Sequence, residues 1–326
     1  MTAELDVVGI GNAIVDVITQ TTDVFLADNR LDKNSMRLID TAEAEALYAK
    51  MGQGMEMSGG SAGNTMAGIA MLGGKGAFIG KVAGDQLGQV YRHDIEAVGS
   101  RFVTTDLADG TPTGRCLILV TPDAARTMNT YLGAAVRLTP ADIDEALIAS
   151  AQVTYMEGYL WDPPAAKEAF LKAASAAHGA GRKVSLSLSD AFCVNRHLDS
   201  FRDLVAGHVD VLFANEAEIT ALYGTDFDQA VQAVRGQVAV AALTRSEKGA
   251  VIVTPDEIVT VPAAPVAKVV DTTGAGDLFA AGFLYGYTRG RAMAACGTMG
   301  AICAAEIISH YGARSQADLR QLVAGV

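Results

Sequence analysis

The string Asp271-Thr272-Thr273-Gly274-Ala275-Gly276-Asp277 carries the residue types that a phosphoryl-transfer site needs, close enough together to act as one unit. The apolar stretch after Asp277, LFAAGFLYGY, predicts a helix and puts the glycines at its N-terminus. Backbone N–H groups in a first helical turn lack intrahelical partners, and Gly274, Ala275 and Gly276 place little side chain in the way of an approaching anion. Such a nest favours a phosphoryl group that gains negative charge during transfer. Asp277 then has two readings. It compensates the helix dipole, or it orients and deprotonates an acceptor hydroxyl that attacks a γ-phosphoryl group.

Two other glycine clusters do not carry the chemistry they superficially offer. Around Gly80-Lys81 a P-loop would need glycine at 75 and Ser or Thr at 82, where the chain has Lys75 and Val82. Gly9-Ile10-Gly11-Asn12-Ala13-Ile14 ends in isoleucine where the dinucleotide fingerprint needs its last small residue. Asp16 stands alone in the apolar patch Ala13-Ile14-Val15-Asp16-Val17-Ile18. It is either a structural acid or the acceptor of two protons from a vicinal diol. Asn215 and Glu218, one helical turn apart after the VDVLF strand, are either an ordinary helix cap or the organisers of water around Mg²⁺.

The elements that must hold these residues read as alternating strands and helices. Short apolar runs at 5–10, 77–82, 116–120, 153–156, 184–188, 209–213, 238–243 and 250–253 predict strands buried on both faces. Helical stretches at 41–51, 62–72, 86–98, 140–150, 164–180, 198–206 and 216–222 lie between several of them. The pattern predicts an α/β fold with a central, mostly parallel sheet flanked by helices. Residues 13–40 and 100–135 break the rhythm with strand-like pieces, Val103 to Thr105 among them. They predict a small β-rich lid on a large body formed by 1–12, 41–99 and 136–326.

Composition removes whole classes of function. The 326 residues are half hydrophobic, with 25 basic against 37 acidic side chains and a net charge of −12. No Lys/Arg-rich run offers the surface that displaces counterions from nucleic acid. No uninterrupted apolar run approaches the roughly 18 residues of a membrane span, and the start lacks the pattern of a secretory leader. The four cysteines have neither the density nor the spacing of a disulfide framework or zinc site. A cytoplasmic protein acting on a small molecule is the expectation, with no nucleic-acid or membrane partner and a monomeric or homodimeric state.

Three segments together resemble the PfkB (ribokinase-like) carbohydrate and nucleoside kinase family. They are Gly59-Gly60-Ser61-Ala62-Gly63-Asn64, Asn215-Glu216-Ala217-Glu218 and the 271–277 string, in family order across nearly the whole chain. The resemblance implies a ribokinase-like fold, ATP as phosphoryl donor, and Mg²⁺ held through water by Glu218 with Asn215 on the nucleotide side. It implies Asp277 as the catalytic acid–base residue and 274–276 as the anion nest. Arg126 is implied as a lid arginine approaching the transferred phosphate. Asn12, Asp16, Gly59, Gly60, Ser61 and Asn64 are implied at the acceptor. Thr244, Lys248, Gly249 and His310 are implied around the donor nucleotide, and Asp271 with Thr273 near a monovalent cation such as K⁺.

Within the family the chain is most similar to the members that phosphorylate adenosine, through Pro112-Thr113-Gly114-Arg115-Cys116, Leu186-Ser187-Leu188-Ser189 and the segment Arg126 to Ala135. That resemblance implies phosphorylation of the adenosine 5′ hydroxyl to give AMP and ADP. Apolar contacts to the base would come from Ile14, Met36, Leu38, Met128 and Leu160. A free sugar, inosine or guanosine stays open as the acceptor, because these residue types serve a core equally well. A nonenzymatic nucleotide sensor would keep the nest, but it would not need Asp277.

Overall fold

The computed structural model describes residues 3–123 and 125–326. In chain order the strands are β1 (Leu5–Ile10), β2 (Ile14–Gln20), β3 (Met36–Leu38), β4 (Met55–Ser58), β5 (Gly76–Ile79), β6 (Ser100–Phe102) and β7 (Gly114–Val120). They continue as β8 (Arg126–Tyr131), β9 (Ala151–Glu157), β10 (Lys183–Ser187), β11 (Val211–Asn215), β12 (Val240–Thr244), β13 (Ala250–Val253) and β14 (Ile258–Val261). One sheet has the order β14-β13-β12-β11-β10-β9-β1-β5-β6, and a second has the order β3-β8-β7-β2-β4. From β6 across to β12 every pairing is parallel, while β13 and β14 add an antiparallel edge.

Parallel strands are reached by crossover helices, which cover both faces and demand apolar residues on both sides of each strand. Val7, Phe78, Tyr155 and Phe213 pack on one side against the helices Ser61–Met71, Gln86–Ala97, Ala275–Tyr287 and Met293–Ile307. Val8, Ile79, Met156 and Leu212 pack on the other against Pro164–Gly179, Leu198–His208 and Glu216–Tyr223. The Pro164–Gly179 helix shows how sequence dictates one of these layers. Pro164 opens its first turn, and Ala166, Ala169, Phe170, Ala173, Ala174 and Ala177 form the buried stripe at 3–4-residue spacing. Gly181, at φ +68°, stops it.

The expected architecture of a helix-flanked, mostly parallel sheet with a smaller β layer is therefore present. The segments 13–40 and 100–135 supply β2, β3, β7 and β8 of the small sheet, but its remaining strand, β4, comes from Met55–Ser58. β6 instead pairs with β5 at the edge of the large sheet, and Val103 to Thr105 are irregular. β4 is short and buries only Ser58 of its four residues, so no buried alternation marks it in the sequence. The Met293–Ile307 helix was also silent there, because MAACGTMGAICAAEI has small apolar residues all round and no polar face to give it a period. No described helix is long and apolar enough to cross a membrane.

Strand order fixes where a ligand can sit. β1 lies between β5, the next strand of its sheet in the chain, and β9, which is reached only after the small sheet has been built. In open α/β sheets such a reversal leaves a crevice at the carboxyl ends of the two strands. Residues 11–13 alone separate β1 from β2, so the small sheet is attached at that crevice. Glu157, at the end of β9, accepts the Asn12 side-chain amide at 2.7 Å and the Ala62 N–H at 2.8 Å. One buried carboxyl thus ties the end of β1, the end of β9 and the start of the Ser61–Met71 helix. Burial raises it to about 7, against the hydrogen bonds from Ala62 and Asn12.

Gly60 precedes that helix at φ +79°, and a Cβ there would stand 2.1 Å from the Asn12 carbonyl oxygen. No L-residue fits without moving the β1–β2 turn. Gly60→Ala is expected to lower stability by about 2 kcal/mol or more, read as a reduced urea midpoint with an unchanged slope.

Candidate active site

Asp277 lies in the first turn of the Ala275–Tyr287 helix, which Gly274 caps in the left-handed conformation at φ +79°. The opening turn of the Ser61–Met71 helix faces it. Ser61 Oγ donates to Asp277 Oδ1 at 2.6 Å, and Asn64 Nδ2 donates to Asp277 Oδ2 at 2.9 Å. The i, i+3 spacing puts both donors on one face of their helix. Burial pushes the Asp277 carboxyl up to about 6, against the lowering effect of Ser61, Asn64 and the nearby Arg314 charge. A carboxyl titrating there is mostly ionised at neutral pH yet more basic than an exposed one. Beside Gly276 the space is open, since a Cβ added there meets no atom within 4 Å.

Asp16 is set out on β2 with a different environment. No hydrogen bond from any described residue reaches its carboxylate, whereas the acids around it have protein donors. Burial raises it to about 6, opposed by Arg314 and Arg126 and reinforced by Asp277 and Asp271. A Cβ at Gly59 would lie 2.6 Å from this carboxyl, so only glycine lets the backbone pass. The result is a partly buried carboxylate with free lone pairs beside a bare peptide, which suits a ligand bringing hydroxyl donors.

The register of the small sheet decides what else shares that cleft. Side chains alternate across a strand, so Ile14, Asp16 and Ile18 of β2 point one way. Asp16 is level with Cys116, Ile118 with Met128, Val120 with Arg126, and Met36 with Met128. Asp16, Arg126 and the apolar residues Ile14, Met36, Leu38 and Met128 therefore occupy one face. The opposite face, with Val15, Val17, Leu117 and Leu119, belongs to the main core. Met36 and Leu38 at the sheet edge are 51% and 53% exposed, whereas Ile14 is buried with Cys116, Ile118 and Ala135, and Met128 packs half-buried against that cluster. Leu160 does not join it. It is fully buried in the core beside Trp161 and Phe170. The preceding Tyr159 is the exposed aromatic there, and its hydroxyl feels Asp190, Asp277, Glu218 and Glu157.

Arg126 is paired with Asp271 and donates to Thr273 Oγ1 at 3.0 Å. Asp271 also accepts the Thr273 N–H at 3.0 Å and the Gly312 N–H at 3.2 Å. Burial would raise Asp271, but its bonds with Thr273 and the Arg126 charge hold it below the usual carboxylate range. The two side chains expected near a monovalent cation are thus already turned to a guanidinium. As arranged, they do not fit K⁺, because a second cation against Arg126 would be repelled.

On the donor side, Asn215 and Glu218 close a reciprocal cap at the end of β11. Glu218 N–H donates to Asn215 Oδ1 at 2.9 Å, and Glu218 accepts the Asn215 N–H at 2.9 Å and its amide at 2.6 Å. Burial raises Glu218 to about 7, and no basic side chain among the described residues pairs with it. No described cluster of three or more His, Cys, Asp or Glu could cage a metal. A lone buried carboxylate without a cationic partner fits Mg²⁺ that keeps its waters. Thr244 and Gly249 flank the β12–β13 turn, and Lys248 reaches Glu216 at 3.7 Å from an exposed position. His310 is held by Glu306 at 3.1 Å.

The sequence reading missed two residues that organise this site. Glu157 had a signal, as the one charge ending the apolar VTYME strand. Arg314 had none, since only the fold carries it to Asn64.

Comparison with known proteins agrees with this arrangement. Residues 31–320 match the model of the pfkB family of carbohydrate kinases. The chain belongs to that family. As a pfkB family kinase it is an ATP-dependent phosphotransferase, and the family mechanism implies Mg²⁺. A probable sugar kinase from Rhizobium etli superposes with a TM-score of 0.91 at 50% identity, over 98% of both chains. The adenosine kinase of Sinorhizobium meliloti superposes with a TM-score of 0.90, also at 50% identity and over 98% of both chains. Adenosine kinase of Saccharomyces cerevisiae is 28% identical, over 96% of each chain. The reaction class is therefore a nucleoside or sugar kinase reaction.

The unpaired, partly buried charge of Asp16 has a stability consequence. Its folded value of about 6 lies above the ordinary 3.8, so the folded state binds the extra proton between those values. Stability contributed by the neutral form is lost as pH rises through that window. Asp16→Asn is expected to stabilise the unliganded kinase by about 2 kcal/mol at pH 7.5 and by nothing at pH 3.5. Urea midpoints across that range measure it.

Proposed function

We propose that this kinase transfers the γ-phosphoryl group of ATP to the 5′ hydroxyl of adenosine. The observation that carries the choice of a nucleoside is the exposed apolar pair Met36 and Leu38, beside half-buried Met128 on the same sheet face as Asp16. A free sugar has no flat apolar ring to cover such a pair, whereas a purine does. Asp16 accepts the two ribose hydroxyl protons, with the peptide at Gly59 passing close beside them. An acceptor without that diol leaves the buried Asp16 without its partner, which is a strong basis for rejection.

In the reaction Asp277 takes the proton of the attacking hydroxyl as its oxygen bonds to the γ-phosphorus and the bond to ADP breaks. Ser61 and Asn64 hold both carboxylate oxygens of Asp277, which fixes its direction toward the acceptor. The N–H groups of 274–276 meet the charge developing on the transferred group. Arg126, on the lid face with Asp16, exchanges Asp271 for that group and so couples lid position to phosphate binding. Glu218, with Asn215 beside it, would hold Mg²⁺ through water, and the ion would supply charge neutralisation to the donor phosphates. Thr244, Lys248, Gly249 and His310 are assigned to the surroundings of the donor nucleotide, and no base specificity is drawn from them.

The decisive experiment offers MgATP with equal concentrations of adenosine, inosine, guanosine, ribose and common hexoses, and identifies the phosphorylated product. Adenosine-dependent ADP release with AMP as product is expected. Turnover of a sugar with none on adenosine would falsify the nucleoside assignment. Asp277→Asn is expected to lower kcat by about 10²–10⁴-fold while changing adenosine Kd less than about threefold. Met128→Ala is expected to raise the KM for adenosine about tenfold with kcat within about twofold.

A further inference from the structure

The C-terminal segment after the Met293–Ile307 helix brings a cation into the acceptor site from a part of the chain that carries no motif. Gly312 N–H donates to Asp271, and Ala313 packs so closely that a Cβ on Gly274 would lie 3.0 Å from it. The segment is thereby fixed against the anion nest. Arg314, the next residue, reaches across to the opposite wall. Its Nη1 donates to Asn64 Oδ1 and to the Ala313 carbonyl at 3.1 Å, and its Nη2 donates to the Ser58 carbonyl and, at 2.8 Å, to Ser58 Oγ. Ser58 ends β4 of the small sheet, and Asn64 is the residue whose other amide atom holds Asp277.

An amide has one accepting and one donating end. With Oδ1 engaged by the guanidinium, Asn64 must present Nδ2 to Asp277. Without Arg314 the amide oxygen loses its donor, and the direction of Nδ2 is then held by Asp277 alone. The same guanidinium is the buried positive charge shared by the site's acids. Burial lowers Arg314 below its usual value, while Tyr91, Asp16, Asp94 and Asp277 act in the opposite direction. Asp16 also faces Arg126, Asp277 and Asp271, and Asp277 faces Ser61 and Asn64. Asp94 is engaged with the Ser58 N–H at 3.0 Å.

We propose that Arg314 is a positioning residue for phosphoryl transfer, holding Asn64 in its donating sense toward Asp277 and placing a positive charge beside Asp16 and Asp277. The inference rests on the assignment of Asp277 and Asp16 given above. It adds to the assigned machinery a residue whose loss changes the pH at which the site works. Removing a nearby positive charge disfavours the ionised form of each acid, so their titration moves to higher pH.

The test is the pH dependence of kcat/KM for adenosine in the full-length wild-type, Arg314→Met, Arg314→Lys and Asp277→Asn proteins, with folding checked by circular dichroism. For R314M the acid limb is expected to move up by about one pH unit, making the loss at pH 6 about tenfold larger than at pH 8.5. For R314K the limb is expected within about 0.3 unit of wild type, with kcat still reduced, because an ammonium lacks the planar fork that meets Asn64 and Ser58 from two separate nitrogens. An R314M limb that superposes on wild type overturns the proposal. So does a loss uniform in pH that R314K does not relieve. Should R314M not fold, R314K decides alone, since kcat equal to wild type or a shifted limb overturns it. Loss of folding in both variants overturns it too, because the arginine then holds the fold and not the acids. Normal turnover by D277N sinks the site assignment itself, whereas an inactive D277N with an unaltered R314M sinks only the role of Arg314.

Discussion

Keeping two carboxylates ionised in one water-poor cleft is costly, because burial favours the neutral form and each charge raises the other. Asp16 and Asp277 are both raised to about 6 by burial. Much of the surrounding structure answers that cost. Ser61 and Asn64 donate to Asp277, Arg126 and Arg314 bring positive charge, and the first turn of the Ala275–Tyr287 helix adds unpaired N–H groups. Of the two, Asp16 has no donor among the described residues. It therefore keeps accepting lone pairs for a ligand's hydroxyls, and its charge is a stability penalty for the empty protein.

The same constraint gives the small sheet its two-sided character. Val15, Val17, Leu117 and Leu119 bury one face in the main core, which anchors the sheet to the body. The other face carries Asp16 and Arg126 beside a small buried cluster of Ile14, Cys116, Ile118 and Ala135, with Met36 and Leu38 left exposed at its edge. An exposed apolar edge beside a lone carboxylate is unfavourable in isolation and favourable once a ligand spans both. Arg126 meanwhile connects this sheet to the 271–273 segment through Asp271 and Thr273, so the small sheet and the start of the Ala275–Tyr287 helix share an ion pair.

How far the site was legible varies residue by residue. The glycine-led helix starts at 271–277 and 59–64 were legible because they lie in local backbone geometry, which a short stretch of glycines announces. The cap formed by Asn215 and Glu218 was legible for the same reason, as one turn of one helix. Leu160 was not, because an apolar residue after a strand looks alike whether it lines a pocket or fills the core. Here it fills the core, and Tyr159 faces out. The Asp271–Thr273 pair was read toward a monovalent cation, but Arg126, remote in sequence, occupies both side chains.

By itself the sequence determined the alternation of strands and helices, the positions of the nest and glycine-rich turns, and the family to which they belong. These depend on periodicity and on backbone groups within a few residues of one another. The tertiary structure alone decided that β4 joins the small sheet, that Glu157 fastens the crevice between β1 and β9, and that Arg314 clamps Asn64 against Asp277. Each of those contacts joins segments far apart in the chain. No local pattern encodes which distant partner will satisfy a buried charge, because that choice is made by strand order and by what is left unpaired when the core closes.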